Sequence, residues 1–231
     1  MLVTDVTRME AGFICVAGIE EGTRERIRPM LPDSRRIPLD WVASRGGVVD
    51  LRRVLELGAA PRIGRVPEIE DVLTNDDRIS VVGALSHERF LDVVRASAVK
   101  DARASFGPTL RLHANGRNYV TPHGRGGCSL AFEEVPVAAF RLTVNQFNGV
   151  RAEWPDGMRL SVTDLRLFEP DGATVDRHRV GELDHALQSE ASLVGFGLTR
   201  PRSLPQSGDS ATYHWLQVNA IHLPASLDWG V

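Results

Sequence analysis

The chain is almost without lysine. Lys100 is the single lysine among 27 basic residues, so arginine carries nearly all the positive charge. Arginine grips phosphate bidentately and stacks on bases, as lysine does not. A genome biased toward arginine codons produces the same composition, so the bias alone names no ligand. Cysteine is also scarce: Cys15 and Cys128 are the only two, and both sit in apolar or glycine-flanked stretches. They read as buried, reduced thiols packed as small hydrophobes, with the cytoplasm as the expected compartment. An excess of positive charge is missing too. The net charge of −3 argues against a generic polyanion binder. No apolar run is long enough for a membrane-spanning helix. The segment Met1-Leu-Val-Thr-Asp-Val-Thr-Arg8 carries an acid and no basic stretch, so it is not expected to act as a secretory signal.

Catalytic signatures are absent as well. There is no Gly-x-Ser-x-Gly elbow, no His-Glu-x-x-His pair and no phosphate-binding Gly-x-x-x-x-Gly-Lys loop. The seven histidines fall into no metal-ligand spacing; His214 and His222 share a strand face without an evident third ligand. The expectation is a chain with no metal, no cofactor and no catalytic role. Triads assembled from distant positions leave no local motif, so enzyme activity stays open at this point.

What is present is β structure. Asn115-Gly116 separates two short β-prone runs, and both residues tolerate positive φ, so a hairpin is predicted there. Ala139-Phe-Arg-Leu-Thr-Val144 alternates with period 2, Asn148-Gly149 turns it into Val150-Arg-Ala-Glu-Trp154, and Pro155-Asp-Gly157 turns again into a run reaching Phe168. Such short connections make a β-meander. Further strands are expected at 12–19, 25–28, 48–57, 193–199 and 213–223, with 59–77 a loop. Two helices stand out. Ser86 caps one carrying Phe90, Leu91, Val94 and Ala98 at helical spacing up to about residue 105. Asp176 caps another, with Val180, Leu183 and Leu187 on one stripe.

Many short strands with glycine-rich turns and few helices indicate a sandwich or barrel. The predicted fold is mainly β: two OB-like β-barrels in one chain, a connecting helix, and a second helix in the C-terminal module. The expected boundaries are 1–77 for the first module, 78–107 for the helical connector and 108–231 for the second module. A five-stranded, partly open barrel with a helix at one end is the OB architecture.

Two strings recur. Thr4-Asp5 and Thr163-Asp164 sit in strand-like runs, and each is followed downstream by an apolar run closing on Arg-Pro, at Arg28-Pro29 and Arg200-Pro201. This echo suggests two related modules. The order Val-Thr-Asp-Val-Thr (3–7), Cys15-Val-Ala-Gly18, Ile27-Arg-Pro29, Val162-Thr-Asp-Leu165, Gly197-Leu-Thr-Arg-Pro201 and Trp215-Leu-Gln-Val218 resembles the bacterial dual-OB-domain proteins over nearly the whole chain. The resemblance implies a nucleic-acid-binding accessory protein of a prokaryotic defence or conflict system, with a protein partner in a multi-component assembly. One departure is visible: a stretch expected as Pro-x-His-x-Glu-Asp reads Pro67-Glu-Ile-Glu-Asp71 here, so a histidine role is lost.

The residues expected to contact single-stranded DNA or RNA are Arg28, Arg117, Arg125, Arg200 and Arg202, through phosphate, with Tyr119 as a stacking platform. Pro122-His-Gly-Arg-Gly-Gly127 supplies a loop with backbone donors and one base. Trp154 beside Arg151 and Trp215 beside His214 are further aromatic–basic neighbours. Asp5 and Asp164 are the expected structural partners of arginine, and Arg28 or Arg200 paired with them would hold a barrel together instead of touching ligand. The alternative function is a non-catalytic protein-interaction or small-ligand sensor subunit.

Overall fold

The structure is a computed structural model that describes residues 1–114 (residue 11 by its backbone alone), 116, 118–203, 211–225 and 227. It is mainly β, with two curled sheets. The first holds β1 (Leu2–Arg8), β2 (Phe13–Ile19), β3 (Arg26–Met30), β4 (Ile37–Pro38), β5 (Arg53–Glu56), β6 (Asp71–Leu73) and β7 (Ser80–Ala84). Its order is β6-β3-β2-β1-β5-β7, with β4 pairing β2. The second sheet holds β8 (Arg111–Leu112), β9 (Tyr119–Pro122), β10 (Leu130–Val135), β11 (Arg141–Val144), β12 (Val150–Glu153), β13 (Arg159–Val162), β14 (Ser192–Leu198) and β15 (Tyr213–His222). It runs β10-β14-β15-β13-β12-β11, and β9 joins β15 to β8.

The expected meander β11-β12-β13 is formed, and its turns have a local cause. Asn145 Oδ1 accepts from the N–H groups of Phe147 and Gly149 at 2.9 and 3.0 Å, while Asn148 takes a positive φ of 56°. Such side-chain mimicry of a turn is what asparagine offers. The third run ends sooner than its sequence suggests. Strand β13 stops at Val162, and Asp164 caps a single 3-10 turn over Leu165–Leu167.

Three helices cover the sheets: α1 (His87–Ser97), α2 (Ala102–Ser105) and α3 (Arg177–Leu187). Ser86 accepts from Arg89 N–H at 3.3 Å and Asp176 from Arg179 N–H at 3.0 Å, as predicted for both caps. Caps of this kind are worth about 1 kcal/mol each. The stripe Phe90, Leu91 and Val94 packs on Leu2 and Ile19 of the first sheet and on Phe132 and Leu193 of the second. Helix α1 therefore seals the seam between the sheets. Helix α3 lays Val180, Leu183 and Leu187 on the core of the second sheet.

Two expectations about this region differ from the structure. The stretch 78–107 was expected to be helical, yet Ser80–Ala84 is an exposed edge strand paired with β5. Its alternation is hidden, because Ser-Val-Val-Gly-Ala has no polar–apolar period. The stretch 59–77 was expected to be loop, yet Asp71–Leu73 pairs in parallel with β3, with Arg28 opposite Asp71. A three-residue parallel strand depends on a partner far away in sequence, and no local pattern reveals it. No helix among the described residues is long and apolar enough to cross a membrane.

Candidate nucleic-acid interface

The two sheets meet along β1 and β15. Arg8 N–H donates to Thr163 O at 2.9 Å, Thr7 bridges Asp164, and a ring nitrogen of His222 lies 3.0 Å from Thr4 O. The second Thr-Asp string thus touches β1 at Thr7 and Arg8, just beyond the first string. The two strings do not occupy equivalent places, because Thr4-Asp5 lies inside β1 whereas Thr163-Asp164 follows the end of β13. Arg28-Pro29 lies inside β3, and Arg200-Pro201 follows β14 in irregular backbone.

The acids of these strings hold arginines, though not those of Arg-Pro. Asp5 is buried beside Arg26, accepts from Thr4 Oγ1 at 2.7 Å, and has Arg26 stacked over the Phe132 ring at 4.1 Å. Asp164 accepts from Arg166 Nη2 at 2.6 Å, and the same guanidinium reaches Ile221 O. The Arg-Pro arginines instead converge on one carboxylate. Arg28 Nε donates to Asp71 Oδ1 at 2.6 Å and Arg200 Nη2 approaches Asp71 Oδ2 at 2.7 Å. Arg200 also meets Glu68 at 3.1 Å and Met30 Sδ at 3.0 Å. Two residues along, buried Glu70 accepts from Ser129 N–H, Ser129 Oγ and Leu130 N–H. The stretch Glu68-Ile-Glu-Asp71 is therefore an acidic clasp: it ties β3 of the first sheet to the ends of β10 and β14 in the second.

This geometry bears on the contacts expected of these residues. Arg28 is only 4% exposed and ion-paired, so it is not placed to meet phosphate. Arg200 is half-exposed, but its guanidinium is shared between two carboxylates and a thioether. Tyr119 is half-buried against the core of the second sheet and is not a free stacking face. Trp154 likewise packs on Phe140 and Phe196. Arg125 is exposed in a turn whose N–H donates to Pro122 O. Arg117 lies outside the described residues.

Arg202 stands in a different setting. It is exposed, bridges Tyr213 through its backbone, and places its guanidinium 5.9 Å from the Trp215 ring centre. The alternation of β15 explains what gathers there. Leu216 and Val218 enter the core, so Tyr213, Trp215 and Gln217 fall on the opposite face. Register then aligns Gln217 with Ser161 and Ser161 with Arg151, and Arg151 Nη1 donates to Ser161 Oγ. Trp215 stands opposite Val120, which stands opposite Arg111. The His113 ring lies 5.1 Å from Trp215 and 5.7 Å from Tyr213. One face thus collects exposed Arg111 and Arg202 and half-buried Arg151 with the half-buried rings of His113 and Tyr213 and the buried ring of Trp215.

The charges on this face repel. Burial first, and then the neighbouring Arg202 charge, lower the Arg151 guanidinium from its ordinary range, while Glu153 acts the other way. Glu153 itself lies 3.5 Å from Arg159. Among the described residues, Arg111, Arg151 and Arg202 form no ion pair with a carboxylate. Sequence reading singled out Arg202 and, as an aromatic, Trp215. It missed Arg111 and His113, and it set Arg151 beside Trp154 because the two are near in sequence. Strand parity was the available signal: Arg151 alternates with core residues Val150 and Ala152, so it must face away from Trp154's core neighbours.

Among the described residues, no three His, Cys, Asp or Glu side chains are grouped to hold a metal. A scan against protein-family models, a search of curated proteins and a search of solved structures each return no match.

Proposed function

We propose that this chain is a non-catalytic nucleic-acid-binding module of the dual-OB type. It takes single-stranded DNA or RNA across the face of β15, β12 and β8. The observation that carries this reading is the juxtaposition of Arg151 and Arg202, two cations without a carboxylate partner among the described residues, beside the rings of Trp215, Tyr213 and His113. Holding like charges together costs free energy unless an anion arrives. Phosphate is an anion that both guanidinium groups recognise in bidentate fashion; Trp215 is itself buried, so any base would meet the partly exposed Tyr213 and His113 rings. Arg111 and Arg125 extend the basic track at the same end of the sheet. The net charge of −3 does not oppose this, because screening confines each field to about 8 Å at physiological salt.

Fluorescence anisotropy with labelled single-stranded oligonucleotides tests the reading. Saturable binding is expected, weakening with salt at a log–log slope of about −1.4 for two neutralised phosphates. No binding at low salt, or binding indifferent to salt, overturns it. A purified protein whose ultraviolet absorbance ratio falls after a high-salt wash gives the quickest supporting sign.

A further inference from the structure

A second basic site lies toward the other end of β15, about 23 Å from Trp215 at the usual rise per residue. It is a cavity of about 40 Å³ between β15, the first turn of α1 and the loop before β5. Arg52, His87, Arg166 and His222 line it together with Phe90 and Leu223, and no acid does so among the described residues. We propose that this cavity binds a short-chain carboxylate, with Arg52 as the group that recognises the carboxylate oxygens.

Size and charge choose the ligand. A water needs roughly 10–15 Å³ by the same measure, so the cavity holds about three, the bulk of acetate or propionate. Arg166 is already neutralised: it meets Asp164 through Nε and Nη2 and also reaches Ile221 O. His87 and His222 spend a ring nitrogen each on backbone carbonyls, of Leu223 and Pro224 and of Thr4. Burial first, and then Arg166, hold the His222 imidazole well below its ordinary range, so it is neutral at pH 7. Arg52 is left as the one uncompensated charge, because no hydrogen bond or ion pair engages its guanidinium among the described residues. One positive charge suits a monoanion better than a phosphate dianion, and the apolar wall of Phe90 and Leu223 suits an aliphatic tail.

The backbone adds an independent sign. Arg52 has a φ of 69°, the left-handed region that costs a long side chain and suits glycine or asparagine. It is fixed there by its N–H donating to Val3 O and its carbonyl accepting from Leu85 N–H. Strain of this kind concentrates at ligand sites, where surrounding structure over-determines it. The positive end of α1, whose first turn lines the cavity, favours an anion further.

The conformation also supplies a clean test. Arg52→Gly removes the guanidinium at a position that glycine adopts without strain, and Arg52→Asn is the second variant on the same grounds. NMR titration of the His87 and His222 ring signals with acetate, propionate and inorganic phosphate is the measurement. Saturable shifts with the carboxylates are expected, weakened about tenfold or more in both variants, or about 1.4 kcal/mol. Both variants should melt at or above the parent temperature in the absence of ligand. No saturable shift in the parent, undiminished carboxylate affinity in the variants, or tighter binding of phosphate overturns the proposal. Oligonucleotide affinity should be unchanged in both variants, which separates this site from the face of β15.

Discussion

Two arginine clusters in one chain have opposite surroundings. At the seam, Arg26, Arg28 and Arg200 lie against Asp5, Asp71 and Glu68. On the β15 face, Arg151 lies against the Ser161 hydroxyl and Arg202 near the Trp215 ring, with Arg111 opposite Val120. The residue type is the same, and the presence of a carboxylate decides its role. At the seam each charge is matched, and those of Arg26 and Arg28 are desolvated as well, so they specify how the sheets meet. On the open face charge is left over for a partner. The seam is also under-satisfied: Asp5 Oδ1, Arg26 Nε and Nη1, and Arg28 Nη2 are buried without a hydrogen-bond partner. A buried ionic layer of this kind fixes geometry more than it adds stability.

The sharpest way to break the contrast is to remove Asp71. Asp71→Ala strands Arg28 as an unpaired buried charge and frees Arg200 from one of its partners. A loss of about 3–5 kcal/mol is expected from urea unfolding. Arg200→Ala leaves Asp71 paired with Arg28 and removes a half-exposed group, so about 1 kcal/mol or less is expected. Equal costs for the two variants would mean that the clasp does not depend on the buried Arg28–Asp71 pair.

The open face should behave in the reverse way. Arg202→Ala is expected to leave unfolding free energy within about 0.5 kcal/mol of the parent, as for a surface change. Oligonucleotide affinity should fall uniformly across sequences, with the salt slope reduced by about 0.7 for one lost phosphate contact on a single strand. Tyr213→Leu, which keeps an apolar side chain but no aromatic face, should cost about 1–3 kcal/mol of binding. An Arg202→Ala protein that unfolds easily yet binds normally would merge the two clusters into one structural class.

Local chemistry was legible in the sequence, and long-range pairing was not. The caps at Ser86 and Asp176, the meander turns and the stripes of α1 and α3 depend on neighbours within a few residues, and each is where its pattern puts it, except that the first helix, expected to reach about residue 105, ends at Ser97 and leaves Ala98 extended. Arg28 and Asp71 are 43 residues apart and meet only because β3 and β6 pair in parallel. Nothing near Arg28 marks its partner. Its placement inside Ile27-Arg28-Pro29, an apolar stretch leading to Leu31, was the one sign that it is buried. The site was half legible for the same reason. Arg202 and Trp215 lie on segments joined by short-range pairing near β15, whereas Arg151 and Arg111 reach that face only through the register of β12, β13, β9 and β8. The duplication suggested by the echoed strings is not expressed as equivalent positions, because a four-letter echo constrains neither strand order nor direction.

Acid offers the smallest and most selective perturbation of the contrast. The His222 ring is buried between the sheets against Phe90 and Phe132, and burial, with Arg166 next, depresses its proton affinity. The unfolded chain binds a proton on this histidine near pH 6.5, and the folded chain does not until a much lower pH. Between those values the unfolded state holds more protons, so stability rises with pH and is lost as pH falls below about 6.5. The slope approaches about 1.4 kcal/mol per pH unit for this one group. Urea unfolding from pH 7 to pH 5 should therefore show stability falling in the parent. His222→Gln, which keeps an amide donor for Thr4 O, should be less stable at pH 7 but flatter over the same range. A parent profile as flat as that of His222→Gln would show that acid weakens this seam through some other group. Oligonucleotide affinity at the β15 face should not fall together with stability over the range in which the protein stays folded.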